Sequence, residues 1–564
     1  MKRLRRLMAL GLSLCMLVPL SLRASAASMP FRDVPADSFA YDDILSLAER
    51  GIVQGIGDGL YGTYEPFKRC DFVLMLARLM GWQTDGQTPQ ATDVPQGHYA
   101  AGAIASAENA GIVGSPDQGY QFRPNDSITR AEMATMLVKA LGVSWEARSQ
   151  FASVITKEPF TDVTRAQYPS SYDYIMMAYD FGIIQGQTAG TPTAFNPTGN
   201  ATREETAAMM MRFYRVHTSQ LTDLHGFYAI SSYSQKDLIP ALSEMTAGWS
   251  RLEFSEQNGP WLNTTGQNEN DWAVPTGSEE ITALAQQNQV PLLLGVFLNT
   301  AQQSGGQVQA ELLLSDAYRA RSVAAITDFL AQNPAYNGVT IDFEGFVSSS
   351  YQEPFTAFLT ELRTALDSMG SYQLYCAVPP AKYYQGYDYR AIGQVADKVI
   401  LMAHDYAPNT LSTLSADTIP ETPLAPYAEV YLALQQITDP ETGVQDKSKV
   451  LLALSFGTVR WEYTAEHINT TAKTSDYTAI YNRLTNGSSE YYYSEASQSP
   501  YLYYYDDSDG TTNVVWYENS DSIQAKCDLA RYFGIGGASL WRLGLVPNYS
   551  DQHLDVWQTI ANYF

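Results

Sequence analysis

The chain of 564 residues reads as an α/β protein in two parts. A (β/α)8 TIM barrel with an insertion before its last strand is preceded by an all-α, pseudo-threefold triplet of helical repeats. Three observations predict this. From about Leu221 onward, short apolar runs rich in β-branched and aromatic residues alternate with helical stretches, the rhythm of a parallel α/β architecture. Between residues 31 and about 215 one pattern occurs three times. A tyrosine-rich stretch, Glu490 to Asp507, interrupts the alternation before its final strand. The length exceeds one ordinary domain, and 45% hydrophobic with 17% charged residues describes folded material.

The first 26 residues read as a secretion signal. Lys2-Arg3-Leu4-Arg5-Arg6 is the basic start, Leu7 to Leu22 the apolar core, and Ala24-Ser25-Ala26 the small-residue cleavage site. The core is short and broken by Pro19, which argues against a membrane anchor, and no later run is long and apolar enough to span a bilayer. Cleavage removes Lys2, Arg3, Arg5, Arg6 and Arg23 and no acid, so the net charge falls from −25 to −30. Bulk electrostatics then exclude nucleic acid and acidic membrane surfaces as partners. Cys70, Cys376 and Cys527 are left, too scattered for a disulfide framework or a metal cluster, and read as buried thiols.

Each repeat (27–87, 88–147 and 156–216) begins with an Asp-Val step: Asp33-Val34-Pro35, Asp93-Val94-Pro95, Asp162-Val163. A helix follows, ending at Gly51-Ile-Val-Gln-Gly55, Gly111-Ile-Val-Gly114 and Gly182-Ile-Ile-Gln-Gly186. A Gly/Pro loop leads to a second helix at Lys68-Arg69-Cys70-Asp71, Thr129-Arg130-Ala131-Glu132 and Thr202-Arg203-Glu204-Glu205. Thr129 with Glu132, and Thr202 with Glu205, have capping-box spacing, which Lys68 lacks. Met133, Met136, Leu137 and Leu141 recur at helical spacing; two short helices cannot bury such a face alone, so the units should pack on one another. These blocks resemble a triplet of S-layer homology domains. The resemblance implies binding to the secondary polysaccharide of a Gram-positive-type cell wall, often bearing acidic pyruvate ketals. Arg69, Arg130 and Arg203 take the family's arginine position, beside helix N–H groups expected to be free for an anion; the other reading is three solvated surface arginines.

The barrel strands are expected at Leu224–Ile230, Gly248–Phe254, Pro291–Leu298, Val339–Glu344, Gln373–Val378, Lys398–Asp405, Val450–Phe456 and Gly537–Trp541. Helices are expected at Asp316–Gln332, Phe355–Met369, Leu424–Ile437 and Ser522–Phe533, and Asp551–Tyr563 closes a domain of residues 221–564. An open doubly wound sheet would carry a Gly-rich phosphate loop after its first strand, and none is present. In the fourth strand Thr340, Asp342 and Glu344 share one face, Val339, Ile341 and Phe343 the other. Spacing alone leaves open whether the two acids do chemistry or cap the next loop. The sixth strand ends Met402-Ala-His404-Asp405-Tyr406 and the eighth ends Ser539-Leu-Trp541-Arg542. Trp541 alone reads equally as core packing.

Asn337-Gly-Val-Thr340-Ile-Asp342-Phe-Glu344, the Met402–Tyr406 segment and the Gly536–Gly544 ending together resemble family-18 glycoside hydrolases, in particular their spore-cortex and cell-wall branch. The resemblance implies Glu344 as general acid, Asp342 orienting a 2-acetamido group whose carbonyl is the nucleophile, and Trp541 as floor under the sugar. Thr340, His404, Asp405 and Tyr406 would complete the substrate contacts. No cofactor or metal is implied, and His225, His404 and His467 show no ligand spacing. Three positions depart from the family pattern: Asn337 and Thr340 replace aspartates, and His404 stands where a tyrosine is usual, with Tyr406 two residues on. The expected function is a secreted, wall-anchored hydrolase of a β-linked N-acetylglucosamine glycan, peptidoglycan or chitin-like. The departures favour an alternative, a catalytically weak barrel that binds glycan at the surface layer. For the tyrosines of Glu490–Asp507, stacking on sugars competes with cross-strand pairing in a hairpin.

Overall fold

A computed structural model describes residues 29–564 except 115–118, 144–148, 156, 187–193, 230, 256–258, 300–312, 314, 412–420, 465–467 and 551–553. The expected signal segment, His467 and the Ile230 strand end lie outside the described residues. No described helix is long and apolar enough to cross a membrane.

Among the described residues the repeats are built from paired helices: α1 (Tyr41–Glu49) with α2 (Arg69–Met80), α3 (Ala101–Asn109) with α4 (Arg130–Ala140), and α5 (Tyr172–Asp180) with α6 (Arg203–Thr218). Thr129 and Thr202 form reciprocal capping boxes with Glu132 and Glu205, while Lys68 makes no side-chain cap. Single β-bridges, Lys68 with Ser127, Thr129 with Asn200 and Pro66 with Thr202, join first repeat to second, second to third and third back to first. The units therefore close into a ring. Inside each unit the aspartate of the Asp-Val step clamps the loop before the second helix with both oxygens. Asp33 accepts from the N–H groups of Tyr61 and Gly62 (2.6 and 2.7 Å), Asp93 from Phe122 and Arg123 (2.8 and 2.7 Å), and Asp162 from Phe195 and Asn196 (both 2.7 Å). The second partner is left-handed each time, with φ of 77° at Gly62, 59° at Arg123 and 58° at Asn196.

Eight parallel strands close a barrel: β1 (Asp223–Tyr228), β2 (Glu244–Ser255), β4 (Leu292–Asn299), β5 (Gly338–Glu344), β6 (Gln373–Val378), β7 (Lys398–Leu401), β8 (Val450–Ser455) and β14 (Gly537–Trp541). β1 pairs with both β2 and β14, which completes the circle. β2 also pairs antiparallel with β3 (Gly259–Asn263), a hairpin without a counterpart in the alternation. Helices lie between the strands: α7 (Ser278–Gln287), α8 (Asp316–Gln332), α9 (Gln352–Met369), α10 (Tyr389–Val395), α11 (Tyr427–Ile437), α13 (Ser520–Phe533) and, at the chain end, α14 (Val556–Ala561). The insertion is a five-stranded antiparallel sheet, β9 (Val459–Tyr463), β10 (Ile468–Lys473), β11 (Glu490–Ser494), β12 (Ser499–Asp506) and β13 (Thr511–Trp516), with α12 (Tyr477–Asn486). Its Tyr492 lies opposite Tyr501 with the rings stacked at 5.2 Å, the cross-strand use of these tyrosines.

The sixth barrel strand is shorter than expected. It ends at Leu401 rather than Asp405, because Ala403 turns its N–H back to the Leu401 carbonyl and Asp405 is left-handed at φ 61°. The barrel is filled by Phe227, Leu293, Tyr375, Ala377, Ile400, Leu451 and Ala453, with Met402 and Trp541 against them. The outward residues of the strands join the core beneath the helices. Repeats and barrel are docked: Phe181 packs on Tyr532, Phe533 and Tyr431, Phe151 on Tyr427 and Tyr431, and the Asp180 carboxylate accepts from the Tyr431 hydroxyl and from Gln435.

Candidate active site

The site is set by the alternation of β5. Val339, Ile341 and Phe343 are fully buried under the helices, and Thr340, Asp342 and Glu344 face the barrel axis. Burial along that face falls with height: Thr340 is 0% exposed, Asp342 4%, and Glu344 is half-buried where the strand opens at its C-terminal end. Active sites of such barrels lie at this end.

Beneath the two carboxyls runs a chain of hydrogen bonds. Thr340 Oγ1 lies 2.6 Å from Thr246 Oγ1 on β2, which lies 2.8 Å from Nε2 of His225 on β1; the His225 Nδ1 lies 2.7 Å from Ser539 Oγ on β14. All four residues are fully buried. Burial pushes the His225 imidazole down to about 3, so at neutral pH it is an uncharged bridge with one nitrogen donating and the other accepting. Thr340 thus spends its hydroxyl on Thr246. No hydrogen bond joins it to Asp342 among the described residues.

Asp342 is consequently left with Oδ1 unpartnered among the described residues. A buried carboxylate oxygen without a partner is costly, which favours the protonated form. Burial first, and the neighbouring Glu344 second, push the Asp342 carboxyl well above the usual range. Two carboxyls two residues apart on one strand therefore share less than two negative charges.

Trp541 stands at the inward end of β14, opposite β5 across the barrel, and the Trp541–Arg542 peptide is cis. Phe227 meets its indole edge-on at 5.1 Å, and Trp272 lies at 5.9 Å with the planes 27° apart. Trp272 also stacks on Phe297 at 4.5 Å, and Phe297 is the register partner of Asp342 on β4. Phe227, His225 and Ser539 were readable as inward positions of their strands. Trp272 was not, since it comes from the loop after β3, where no periodicity marks it.

The other expected contacts spread out beyond β7. His404 places Nδ1 2.9 Å from the Asp405 carboxylate; the His404 side chain is 7% exposed and that of Asp405 63%. Tyr406 does not share a strand face with His404, because the strand has already ended. Its N–H bonds the Leu424 carbonyl, its hydroxyl donates to the Glu429 carbonyl at 3.4 Å, and its ring lies 5.9 Å from Tyr383. The geometry thus puts Thr340, Asp342 and Glu344 on one inward face, with Trp541 inward on the strand opposite, and sets Tyr406 against α11. A cavity of about 590 Å³ adjoins the mouth between Phe456–Thr458, Ser475–Thr478 and Gly544–Tyr549, and none of the candidate residues lines it. Among the described residues no group of three or more His, Cys, Asp or Glu is placed to hold a metal, and the three cysteines are buried and unpaired.

Arg69, Arg130 and Arg203 occupy the three junctions of the repeat ring and are only 7%, 7% and 8% exposed, so they are not solvated surface residues. Each reaches into the next unit and donates Nε to a carbonyl, of Phe122, Phe195 and Tyr61 respectively, with the guanidinium 4.8–4.9 Å from the same residue's ring. The helix N–H groups beside them, expected to be free, are taken by the neighbouring unit: those of Arg69, Arg130 and Arg203 bond the carbonyls of Asp126, Gly199 and Glu65. Arg69 further meets Glu132 at 2.5 Å and Arg130 meets Glu205 at 3.5 Å. By the same rotation Arg203 would meet Asp71, but that shorter acid accepts the Tyr99 hydroxyl at 2.6 Å, and Arg203 meets no carboxylate within ion-pair distance among the described residues.

Comparison with known proteins gives matches over both parts. Residues 196–545 match the model of the family described as glycosyl hydrolases family 18, and residues 30–72, 92–134 and 159–207 match the S-layer homology domain. An amylopullulanase of Thermoanaerobacterium thermosulfurigenes is 32% identical over 180 residues, 32% of this chain and 9% of that protein. An S-layer protein of Bacillus thuringiensis subsp. finitimus is 25% identical over 208 residues, 37% of this chain and 24% of that protein. The chain thus spans a quarter or less of the length of these curated relatives. Among solved structures, the Bacillus cereus spore cortex-lytic enzyme SleL aligns with a TM-score of 0.49 at 19% identity, over 62% of this chain and 75% of that one.

Proposed function

Because the chain belongs to glycosyl hydrolases family 18 and carries three S-layer homology domains, we propose that it is a bacterial cell-surface glycosidase that cleaves a β-linked N-acetylglucosamine glycan, peptidoglycan or chitin-like, with substrate assistance. The observation that carries the reading is the pair on β5: Glu344 at the opening of the strand, and beneath it Asp342, buried, with Oδ1 unpartnered among the described residues and the carboxyl above the usual range.

A two-carboxylate glycosidase needs its second acid across the scissile bond. Here the second acid is on the same strand, about 7 Å along the backbone, which suits a mechanism in which the substrate supplies its own nucleophile. Glu344 gives its proton to the glycosidic oxygen, the C1–O bond breaks, and the acetamido carbonyl oxygen closes on C1. Asp342 orients the acetamido group and accepts its N–H as charge develops on it. The Glu344 carboxylate then takes a proton from water as that water attacks C1, reopening the ring with overall retention. Trp541 offers its indole face to the sugar. Glu344→Gln should lower reducing-end release from peptidoglycan and chito-oligosaccharides by about 10²–10⁴-fold with the melting temperature unchanged. Equal release by both proteins would overturn the assignment.

A second reading, glycan binding without turnover, is favoured by one observation: the Thr340 hydroxyl turns to Thr246, and Asp342 Oδ1 has no partner among the described residues. It requires saturable binding with no product from the wild type. For the repeats, we propose attachment to an acidic secondary wall polysaccharide through the ring junctions that hold Arg69, Arg130 and Arg203. Cosedimentation with purified walls, before and after removal of pyruvate ketals, tests this, and indifference to the polymer would overturn it.

A further inference from the structure

The loop after β3 is built around buried polar groups. Asn263 is fully buried and Asn270 and Glu253 nearly so. The Glu253 carboxylate accepts from Asn263 at 2.7 Å, Asn268 at 2.5 Å and Arg251 at 2.6 Å. Asn270 donates to the carbonyls of Asn263 and Thr265, and its Oδ1 accepts the Trp272 N–H at 3.0 Å. Asn268 and Glu269 are both left-handed, at φ 56° and 53°. Burying a carboxylate and two amides is unfavourable unless each is satisfied, and this network ends on the backbone N–H of Trp272, which sets where that residue leaves the loop.

The indole is laid across one sector of the barrel mouth. It stacks on Phe297 of β4, reaches Trp541 of β14 at 5.9 Å, and rests on β2 at Gly248. A Cβ there would stand 2.9 Å from the indole and 2.8 Å from the Ala229 Cβ, so the strand lacks a side chain where the ring lies. Two rings 5.9 Å apart admit no pyranose between them, because a sandwiched sugar needs van der Waals contact of about 3.5–4 Å on each side, roughly 7–8 Å in all. The side of Trp541 toward β1, β2 and β4 is therefore closed.

We propose that Trp272 is a specificity-determining residue that ends the sugar platform on that side. The site then takes a glycan by its chain end and trims it, rather than cutting it internally. This rests on Trp541 being the sugar floor. The test uses chito-oligosaccharides of two to six sugars labelled at the reducing end. The wild type should release short terminal products, and Trp272→Ala should raise the share of internal cleavage at least threefold. Internal cleavage by the wild type, or an unchanged pattern in Trp272→Ala, overturns the proposal. Should Trp272→Ala melt below the wild type, Gly248→Ala, which lifts the indole from beneath, must give the same shift.

Binding measured on the Glu344→Gln background is independent of turnover. Affinity should level off with oligosaccharide length when Trp272 is present and keep rising, at least threefold from two to six sugars, when it is alanine. Equal length dependence, or no binding by either, overturns the role of Trp272. Undiminished hydrolysis by Glu344→Gln would instead remove the catalytic reading, and the length dependence would still decide for or against Trp272.

Discussion

Asp342 carries a pH signature set by its place on β5. Its carboxyl, raised by burial and by Glu344, keeps its proton in the folded chain at a pH where the unfolded chain has released it. Between about pH 4, the unfolded value, and the higher folded value, the folded state binds more protons, so stability falls as pH rises through that window. Asp342→Asn has no such proton to lose. Its melting temperature should therefore decline less from pH 4 to pH 8 than that of the wild type, while activity drops; parallel curves would mean that Asp342 is ionised when folded. The two faces of β5 were legible in the sequence because a strand's period of two is local. The partner of Thr340 was not, since Thr246 is 94 residues away and only barrel closure brings the two hydroxyls together.

At the scale of elements, the Asp-Val step and the loop it clamps form one unit repeated three times. Asp93→Ala removes two N–H acceptors at once and releases Arg123 from its left-handed turn. Hydrogen bonds to a charged group contribute about 1.5–3 kcal/mol each, so a loss of at least about 2 kcal/mol is expected in chemical denaturation; a change under about 0.5 kcal/mol would contradict the clamp. The three junctions also differ from one another. Glu132 and Glu205 pair with Arg69 and Arg130, whereas Arg203 meets no carboxylate within ion-pair distance among the described residues. Arg203→Gln should therefore weaken binding to an acidic wall polymer by about tenfold, and Arg69→Gln much less. Equal effects would show that the junctions act alike. The helices and their caps could be read from spacing and residue type. The burial of the arginines could not, because it follows from the return of the third repeat onto the first. The end of β7 was misplaced for a simpler reason: Met402 to Tyr406 is apolar and aromatic enough for a strand, and only the turn at Ala403 takes it off the ladder.

In the whole molecule the repeats and the barrel share a core. Phe181, 4% exposed, is the repeat residue most surrounded by barrel rings: Phe533 at 5.2 Å, Tyr532 at 5.4 Å and Tyr431 at 6.1 Å. Phe181→Ala should cost about 3–5 kcal/mol and separate one calorimetric transition into two, one for each part; a single transition at lower temperature would show that the parts still unfold together. The division into two parts was legible from the change of rhythm near Leu221, but nothing local in Phe181 or Tyr532 marks them as facing each other across it.

The passage from α6 to β1 is pinned as well, with Ser219 donating to the Arg531 carbonyl, Arg531 to the His217 carbonyl and Thr222 to the Gly536 carbonyl. A catalytic head on a slack tether sweeps a volume and meets whatever drifts through it. This head is braced to its own foot, so with the repeats attached as proposed its reach would be an arc at one height and one tilt above the ground it stands on. Which strands it could work on would then be a matter of architecture: those that pass beneath the mouth where the foot is planted, and not those a few nanometres away.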